Sequence, residues 1–267
     1  MSLGVFKSRL SSKTTQNQLN MFKDILKGIK SYSGTFKLIS KLRLWKYFGI
    51  PMLISVVTAG LIGFLAWSLS STIGGFISGI WVWEFGKETF TSFSSFTGGA
   101  IIVILGFILY KHIVMALSAP FMSPVSEKIE AHLTGIASLA YRNTTFKEQL
   151  WRGIRINVRN LFKEILFTIP LIILGFIPVM GFIASALIFL IQAYYAGFGN
   201  MDYTLERHLK YKASFAFVRK NRGIAIGNGI VFMIFLFIPV VGIILVLPLS
   251  VTAATIKTVE LLKAKNK

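Results

Sequence analysis

Long stretches without charge alternate along the chain with stretches rich in Lys and Arg. Residues 47–70 hold no charged side chain, and they exceed the roughly 20 residues that an α-helix needs to cross the hydrocarbon layer. Residues 98–117 form a second, largely apolar stretch. Pro51 falls in the opening turn of the first stretch, where its missing N–H costs little. The pattern therefore predicts two long transmembrane helices, at 47–70 and 98–117.

A short motif occurs twice, each time in the middle of a long apolar run. The copies are Phe176-Ile177-Pro178-Val179-Met180-Gly181 and Phe237-Ile238-Pro239-Val240-Val241-Gly242. The Pro and Gly of each copy are expected to break the helix. The flanking arms, of roughly 15 to 17 residues, reach about 22 to 26 Å, less than the roughly 30 Å hydrocarbon thickness. The motif predicts two re-entrant, half-penetrating hairpins, at 164–196 and 224–256, although two complete crossings per hairpin would preserve the same parity.

Four cation-rich segments flank these apolar elements. They are the N-terminal segment 1–46, a helical segment 118–163, a linker 197–223 and the tail 257–267. Only the connection 71–97 lacks a cationic excess. With two crossings and two re-entrant hairpins, all four basic segments fall on one face, which the positive-inside rule identifies as the cytoplasm. The sequence therefore predicts a multi-pass membrane protein with cytoplasmic termini and with 71–97 on the opposite side of the membrane.

The segment 1–46 also has a helical pattern of apolar positions. Met21, Phe22, Ile25, Leu26 and Ile29 share one side of a helix. This pattern is typical of a basic amphipathic helix on an anionic leaflet. The same apolar face would equally suit packing on the rest of the protein, and both interpretations stay open.

Composition supports a membrane protein and excludes several other classes. The chain is 54% hydrophobic with a mean hydropathy of +0.67, and 29 Lys and Arg stand against 10 acids. Because these cations flank apolar spans, anionic lipid headgroups rather than nucleic acid are the expected partner. The absence of Cys rules out a disulfide framework, a thiolate nucleophile and a sulfur-ligated metal. His112, His132 and His208 lack ligand spacing, so we expect no metal, no cofactor and no catalytic residue; His112, beside Lys111 at an interface, is interpreted as solvated.

The segment that follows the second span carries two prolines and two acids. Pro120 and Pro124 are expected to break the helix, with Ser123 or Ser126 capping a new one that begins near Glu127 and Glu130. The motif Ala119-Pro120-Phe121 with these acids, after two transmembrane helices and before two Pro-Gly hairpins, resembles the CysZ sulfate permease and etoposide-induced protein family. The resemblance spans about residues 41–255.

The resemblance implies an all-α integral protein of the bacterial inner membrane with two long transmembrane helices and two half-penetrating hairpins, preceded here by the basic amphipathic helix. On this reading the connection 71–97 lies in the periplasm. It also implies a homo-oligomer that passes sulfate inward for cysteine synthesis. A Gly-Leu-Arg element associated with the anion in that family is matched by Lys41-Leu42-Arg43, with Lys in place of Gly. The other residues that carry the resemblance are Pro120, Phe121, Glu127, Glu130, Pro178, Gly181, Pro239 and Gly242.

A passive anion permease is the leading hypothesis. Cations at the mouth would attract a dianion. Between Ile165 and Ala196, and between Ile224 and Ile256, there is no Asp, Glu, Lys, Arg or His, which argues against a charged relay in the hairpins. The candidate anion-binding residues are Lys41, Arg43, Lys46, Arg155, Arg159, Arg219 and Arg222.

Two further alternatives bear on this hypothesis. A pore would be lined by polar side chains such as Thr168, Ser185, Gln192 and Asn228, each of which also suits hydrogen-bonded packing. The stripe Arg152, Arg155 and Arg159 would be explained by lipid headgroups alone. The runner-up function is a non-transporting scaffold or an anionic-lipid-binding hairpin protein.

Overall fold

The computed structural model describes residues 19–79, 105–106, 108–136, 144–175, 177, 180–238 and 241–265. Within these ranges every regular element is a helix. The chain begins with α1 (residues 19–30) and α2 (Thr35–Lys41), followed by a 3-10 helix at Leu44–Tyr47. The predicted periplasmic connection lies largely outside the described residues.

The first long helix, α3 (Gly49–Ser78), is longer than predicted. Its start agrees with the sequence pattern, because Pro51 lies in the first turn. Its end lies beyond the predicted Ser70, since residues 71–78 carry no charge and no Pro, and Gly74 and Gly75 alone do not stop a membrane helix. Large apolar side chains such as Leu53, Phe64 and Trp67 are exposed along it, as in a helix that contacts lipid.

The second predicted span ends in a sharp bend. The helix α4 (Ile108–Leu117) meets α5 (Ala119–Thr134) at an angle of 67°, while residues 98–104 lie outside the described part. The predicted restart at Ser123 or Ser126 is wrong, because the new helix begins at Ala119 and passes through Pro124. Pro120 occupies the first turn of α5, where no backbone N–H is needed.

Both copies of the repeated motif lie where helices end, so the predicted breaks are confirmed. The first separates α6 (Phe146–Gly175) from α7 (Met180–His208). The second separates α9 (Arg222–Leu236) from the short α10 (Val241–Ile244) and α11 (Val246–Lys265). A Cβ on Gly181 would lie 3.0 Å from the Gly175 carbonyl oxygen, and one on Gly242 would lie 2.7 Å from that of Leu236. A side chain is thus excluded at Gly242 unless the backbone shifts, and the space at Gly181 is tight, whereas Pro178 and Pro239 lie outside the described residues.

The segment 197–223, predicted as a polar linker, is largely helical, and its first part lies inside the fold. The helix α7 continues to His208, and α8 (Tyr211–Lys220) follows. Residues 195–206 are buried. Small residues make this possible, because a Cβ on Gly197 would overlap the Ala225 carbonyl oxygen of α9, and one on Gly229 of α9 would overlap that of Ala193. The two hairpins therefore meet in a close crossing of α7 and α9.

The N-terminal helix α1 packs on the protein with one of its faces. A Cβ on Gly28 would lie 2.6 Å from the Ile224 carbonyl oxygen, and one on Gly223 would lie 2.8 Å from that of Met21. Phe22 and Leu26 remain exposed, at 61% and 39%. The inner face of α1 therefore packs on the rest of the protein. The predicted contact with a membrane leaflet stays a prediction for the outer face, which carries Phe22 and Leu26.

Two described helices are long and apolar enough to cross a membrane, Gly49–Phe76 and Met180–His208. A third span results if the bent pair α4 and α5 counts as one. These helices agree with a helical membrane protein.

Candidate anion site

Two arginines of the predicted stripe are held above aromatic rings. The Arg155 guanidinium carbon lies 4.0 Å from the centroid of Tyr211, and that of Arg159 lies 3.7 Å from the centroid of Phe215. Their spacing of four residues on α6 places both against α8. Such stacking orients the guanidinium planes while leaving their N–H donors available.

The third arginine of the stripe, Arg152, has a different role. It donates two hydrogen bonds of 2.8 Å to Asp202, and others to the Leu209 carbonyl and the Ser214 hydroxyl. Burial would lower the pKa of Arg152, but Asp202 outweighs it and the pKa is raised. The interpretation that lipid headgroups explain the whole stripe is therefore wrong for Arg152, which joins α6 to α7 and α8.

Two more predicted cations, Arg219 and Arg222, line a cavity at the foot of the second hairpin. The cavity holds about 330 Å³. Its polar lining also includes Tyr194 and Tyr195 of α7. The structure thus brings two of the predicted cations, Arg219 and Arg222, to one cavity with the Tyr194 side chain.

The Arg159 guanidinium touches a buried amide on its own helix. It donates a 3.1 Å hydrogen bond to Asn160 Oδ1, and Asn160 is 0% exposed. Among the described residues, Asn160 Nδ2 has no hydrogen-bond partner, and neither has the buried Thr168 hydroxyl two turns further along. A cation beside a spare buried N–H donor is a suitable arrangement for an oxyanion.

A buried ionic cluster lies one turn beyond Asn160, and the sequence pattern alone did not predict it. Glu164 accepts a 2.7 Å hydrogen bond from Lys111 Nζ, and its other oxygen lies 3.1 Å from His112 Nε2. Lys111, His112 and Glu164 are 0%, 3% and 1% exposed. The interpretation of His112 as solvated is therefore wrong. The available signal was the spacing of Asn157, Asn160, Glu164 and Thr168, which places all four on one face of α6.

His112 is also held by a second residue of α6. Its Nδ1 lies 3.3 Å from Asn157 Oδ1, and the amide nitrogen of Asn157 donates to the Gly153 carbonyl, which fixes the orientation of the amide. Both ring nitrogens of His112 thus have a partner on α6, and the imidazole is held in place. Lys111 and His112 of α4 together bind the Glu164 carboxylate of α6.

The cations of the N-terminal segment occupy another part of the fold. Lys41 is the last residue of α2, which packs on α11. Arg43 directly precedes the 3-10 helix, and Lys46 lies within it. This 3-10 helix packs on α3 and α5. The N–H groups of Leu42 and Arg43 donate to the carbonyls of Leu38 and Ser40. An oxyanion at this element would therefore have to be held by side chains rather than by those N–H groups.

Other residues singled out from the sequence hold the fold together. Glu130 accepts hydrogen bonds of 2.8 Å from Arg207 and 2.6 Å from His208, while Glu127 is exposed. Asn228 bonds to Asn200 and to the Ser250 carbonyl, so the packing interpretation is confirmed for it. Ser185 is exposed, and its hydroxyl donates to the Gly181 carbonyl of the same helix.

Comparison with known proteins gives one family. The profile of the family described as "Sulfate transporter CysZ/Etoposide-induced protein 2.4" matches residues 32–246. The chain is 27% identical over 159 residues to the sulfate transporter CysZ of Pseudomonas syringae pv. tomato, and this alignment covers 59% of this chain and 62% of that protein. It is 25% identical over 242 residues to the protein of the same name from Salmonella typhimurium, and this alignment covers 90% of this chain and 94% of that protein. The alignment with the Pseudomonas syringae protein thus leaves more than a third of that protein unmatched.

Proposed function

The chain belongs to the sulfate transporter CysZ/etoposide-induced protein 2.4 family, and from this membership we propose that it is a sulfate transporter of the bacterial inner membrane. In the finer form of the proposal it is a passive permease or channel whose sulfate feeds cysteine synthesis. The matched family carries the name of a transporter, and we propose no catalytic role.

The observation that carries the proposal is the grouping of Arg159 with the spare amide donor of Asn160. Sulfate is a dianion with four acceptor oxygens, so it needs both positive charge and convergent N–H donors. Arg159 supplies charge at the foot of the first hairpin, and Arg155 adds a second stacked guanidinium one turn earlier. Asn160 leads from them to the buried polar face of α6.

The buried cluster of Lys111, His112 and Glu164 extends the polar face of α6 further into the fold. It lies one turn along α6 from Asn160, on the face that continues to Thr168. Buried polar and ionisable groups lower the cost of bringing an ion into a medium of low polarity. We propose that sulfate passes along this face, with Arg43, Lys41, Lys46, Arg219 and Arg222 contributing to the positive potential at the mouth.

The passive form of the proposal rests on the uncharged hairpin arms. Glu164, the first residue of the first hairpin, comes just before the uncharged stretch and lies in a buried cluster. Lys111 and His112 each contact one oxygen of Glu164, so both oxygens already have partners within the protein. A carboxylate held in this way is a structural element rather than a free proton relay.

Radiolabelled sulfate uptake into proteoliposomes tests the proposal. We expect uptake that follows the sulfate gradient, exceeds that of protein-free vesicles and is unchanged by a protonophore. Uptake that collapses with the protonophore would contradict the passive form alone. Absence of uptake, together with selective binding to anionic vesicles, would favour the non-transporting scaffold, which the exposed cations of α1 and α8 also suit.

The remaining features stay part of the proposal. They are half-penetration by the hairpins, cytoplasmic termini and assembly into a homo-oligomer. Exposed apolar residues on the arms, such as Phe162, Ile173 and Phe182, are compatible with lipid or with a second copy at these surfaces. Accessibility labelling of a cysteine placed at Gly34, compared with one at Lys147, checks the predicted topology, because both should react from the cytoplasm.

A further inference from the structure

The cavity lined by Arg219 and Arg222 differs from the rest of the proposed mouth because most of its lining residues are apolar. Away from the two arginines and two tyrosines, its lining is wholly apolar. The apolar residues are Phe167, Leu187, Leu190, Ile191 and Ile226. They come from α6, α7 and α9, so the cavity is a groove between the two hairpins.

The groove has a direction. On α7, Leu187 and Tyr194 are two turns apart on one side of the helix, which corresponds to about 10 Å along its axis. The polar end at Tyr194 lies beside the arginines at the foot of the second hairpin. The apolar end at Leu187 points along the hairpin toward its tip at Gly181. A ligand in the groove therefore meets cations at one end and hydrocarbon at the other.

The two arginines are free to take a ligand. In the described part of the chain, neither guanidinium donates a hydrogen bond or pairs with a carboxylate, whereas Arg152 and Arg207 are fully engaged by Asp202 and Glu130. Both Arg219 and Arg222 are exposed. Arg159, the third cation near Tyr194, is already stacked on Phe215 and bonded to Asn160.

We propose that this groove is a binding site for an anionic phospholipid of the leaflet that faces the basic side. Its phosphate lies between Arg219 and Arg222, with the Tyr194 hydroxyl as a further donor, and one acyl chain lies along Leu190, Ile191 and Ile226. A phosphodiester matches paired guanidinium groups, as sulfate would. The apolar walls decide between the two, because they offer a soluble dianion nothing and they offer an acyl chain a continuous contact. The lipid would join the two hairpins at their cytoplasmic ends.

Native mass spectrometry of the full chain in detergent, titrated with phosphatidylglycerol or phosphatidylcholine, tests the site. We expect one phosphatidylglycerol to be retained in preference to phosphatidylcholine. The double variant Arg219→Ala/Arg222→Ala should weaken that retention about tenfold or more, because it removes two charge-assisted contacts. The matched control is Lys212→Ala/Lys220→Ala, which removes two exposed cations of α8 that do not line the groove.

A second variant separates the groove from general charge effects. Leu190→Trp fills the apolar part and leaves both arginines in place, and at 37% exposure the position tolerates the larger side chain. We expect it also to lower retention of phosphatidylglycerol. Equal retention in the wild type and both variants would overturn the proposal. Displacement of the lipid by sodium sulfate, but not by sodium chloride of equal ionic strength, would reassign the arginines to the soluble anion and overturn it as well. None of these readouts measures transport, so failure here leaves the proposed function standing.

Discussion

Arg152 of α6 donates two hydrogen bonds of 2.8 Å, from Nε and Nη2, to the Asp202 carboxylate of α7, and so links the two packed helices far from the turn that connects them. The side chains are 11% and 7% exposed, so solvent screens the pair little. Arg155→Ala, one turn away, removes only a stacking contact with Tyr211. The two arginines look equivalent in the sequence, and the structure gives them separate roles.

Arg152→Ala should destabilise the fold by about 3 to 5 kcal/mol, because it leaves the Asp202 carboxylate buried without its partner. The free energy of unfolding in detergent measures the change. Arg155→Ala is the control, with an expected loss below about 1 kcal/mol. Equal losses in the two variants would contradict the distinction between an internal arginine and an exposed one.

Glu164→Gln should also destabilise the protein by about 3 to 5 kcal/mol, since the buried Lys111 would then lose the carboxylate that it pairs with. Adding Lys111→Met should recover a large part of the loss, because it removes the buried amine that Glu164→Gln leaves without a counter-charge. The double-mutant cycle on unfolding free energies checks this. Simple additivity of the two substitutions would show that the buried ion pair is not energetically coupled.

Gly197→Ala and Gly229→Ala should each prevent normal packing of the hairpins, because the new Cβ overlaps a backbone carbonyl oxygen that cannot move aside. We expect a loss of at least about 2 kcal/mol for each. Gly60→Ala in α3 is the matched control, since nothing lies within 4 Å of the position that its new methyl group would take and Ala favours a helix. Thermal unfolding in detergent distinguishes them, and a Gly197→Ala protein as stable as the Gly60→Ala protein would refute the close crossing of α7 and α9.

Arg159→Ala should lower sulfate uptake about tenfold with little effect on stability, because it removes the charge beside the spare donor of Asn160. Proteoliposome flux with matched protein content is the measurement. Lys220→Ala, which removes a nearby exposed cation outside the cavity of Arg219 and Arg222, should keep at least half of the wild-type flux. A loss shared by both variants would mean that only the overall positive potential matters.

Local chemistry explains why the sequence predicted the two helix breaks at the repeated motif. The motif copies end helices because Pro and Gly act within a few residues of their own position. The course of 197–223 was missed because polarity suggested a linker, whereas Asp202 is neutralised by Arg152, 50 residues earlier in the chain. The Lys111–Glu164 pair likewise joins residues 53 apart. Such pairings depend on tertiary packing, and they decide which charges are free to bind an anion.

Arg43 offers a test in which effects on stability and effects on transport can be separated. Its backbone is left-handed, with φ 52°, at the residue before the 3-10 helix. Glycine adopts this conformation without strain, so Arg43→Gly should leave stability unchanged or raise it by up to about 1 kcal/mol, while Arg43→Ala keeps the strain. If the Arg43 side chain attracts sulfate, both variants should lose flux to the same extent despite their different stabilities. Parallel measurements of unfolding and of sulfate uptake decide the matter: wild-type flux in both variants would remove Arg43 from the site, because its N–H already donates to Ser40 and only the side chain is left to hold an anion.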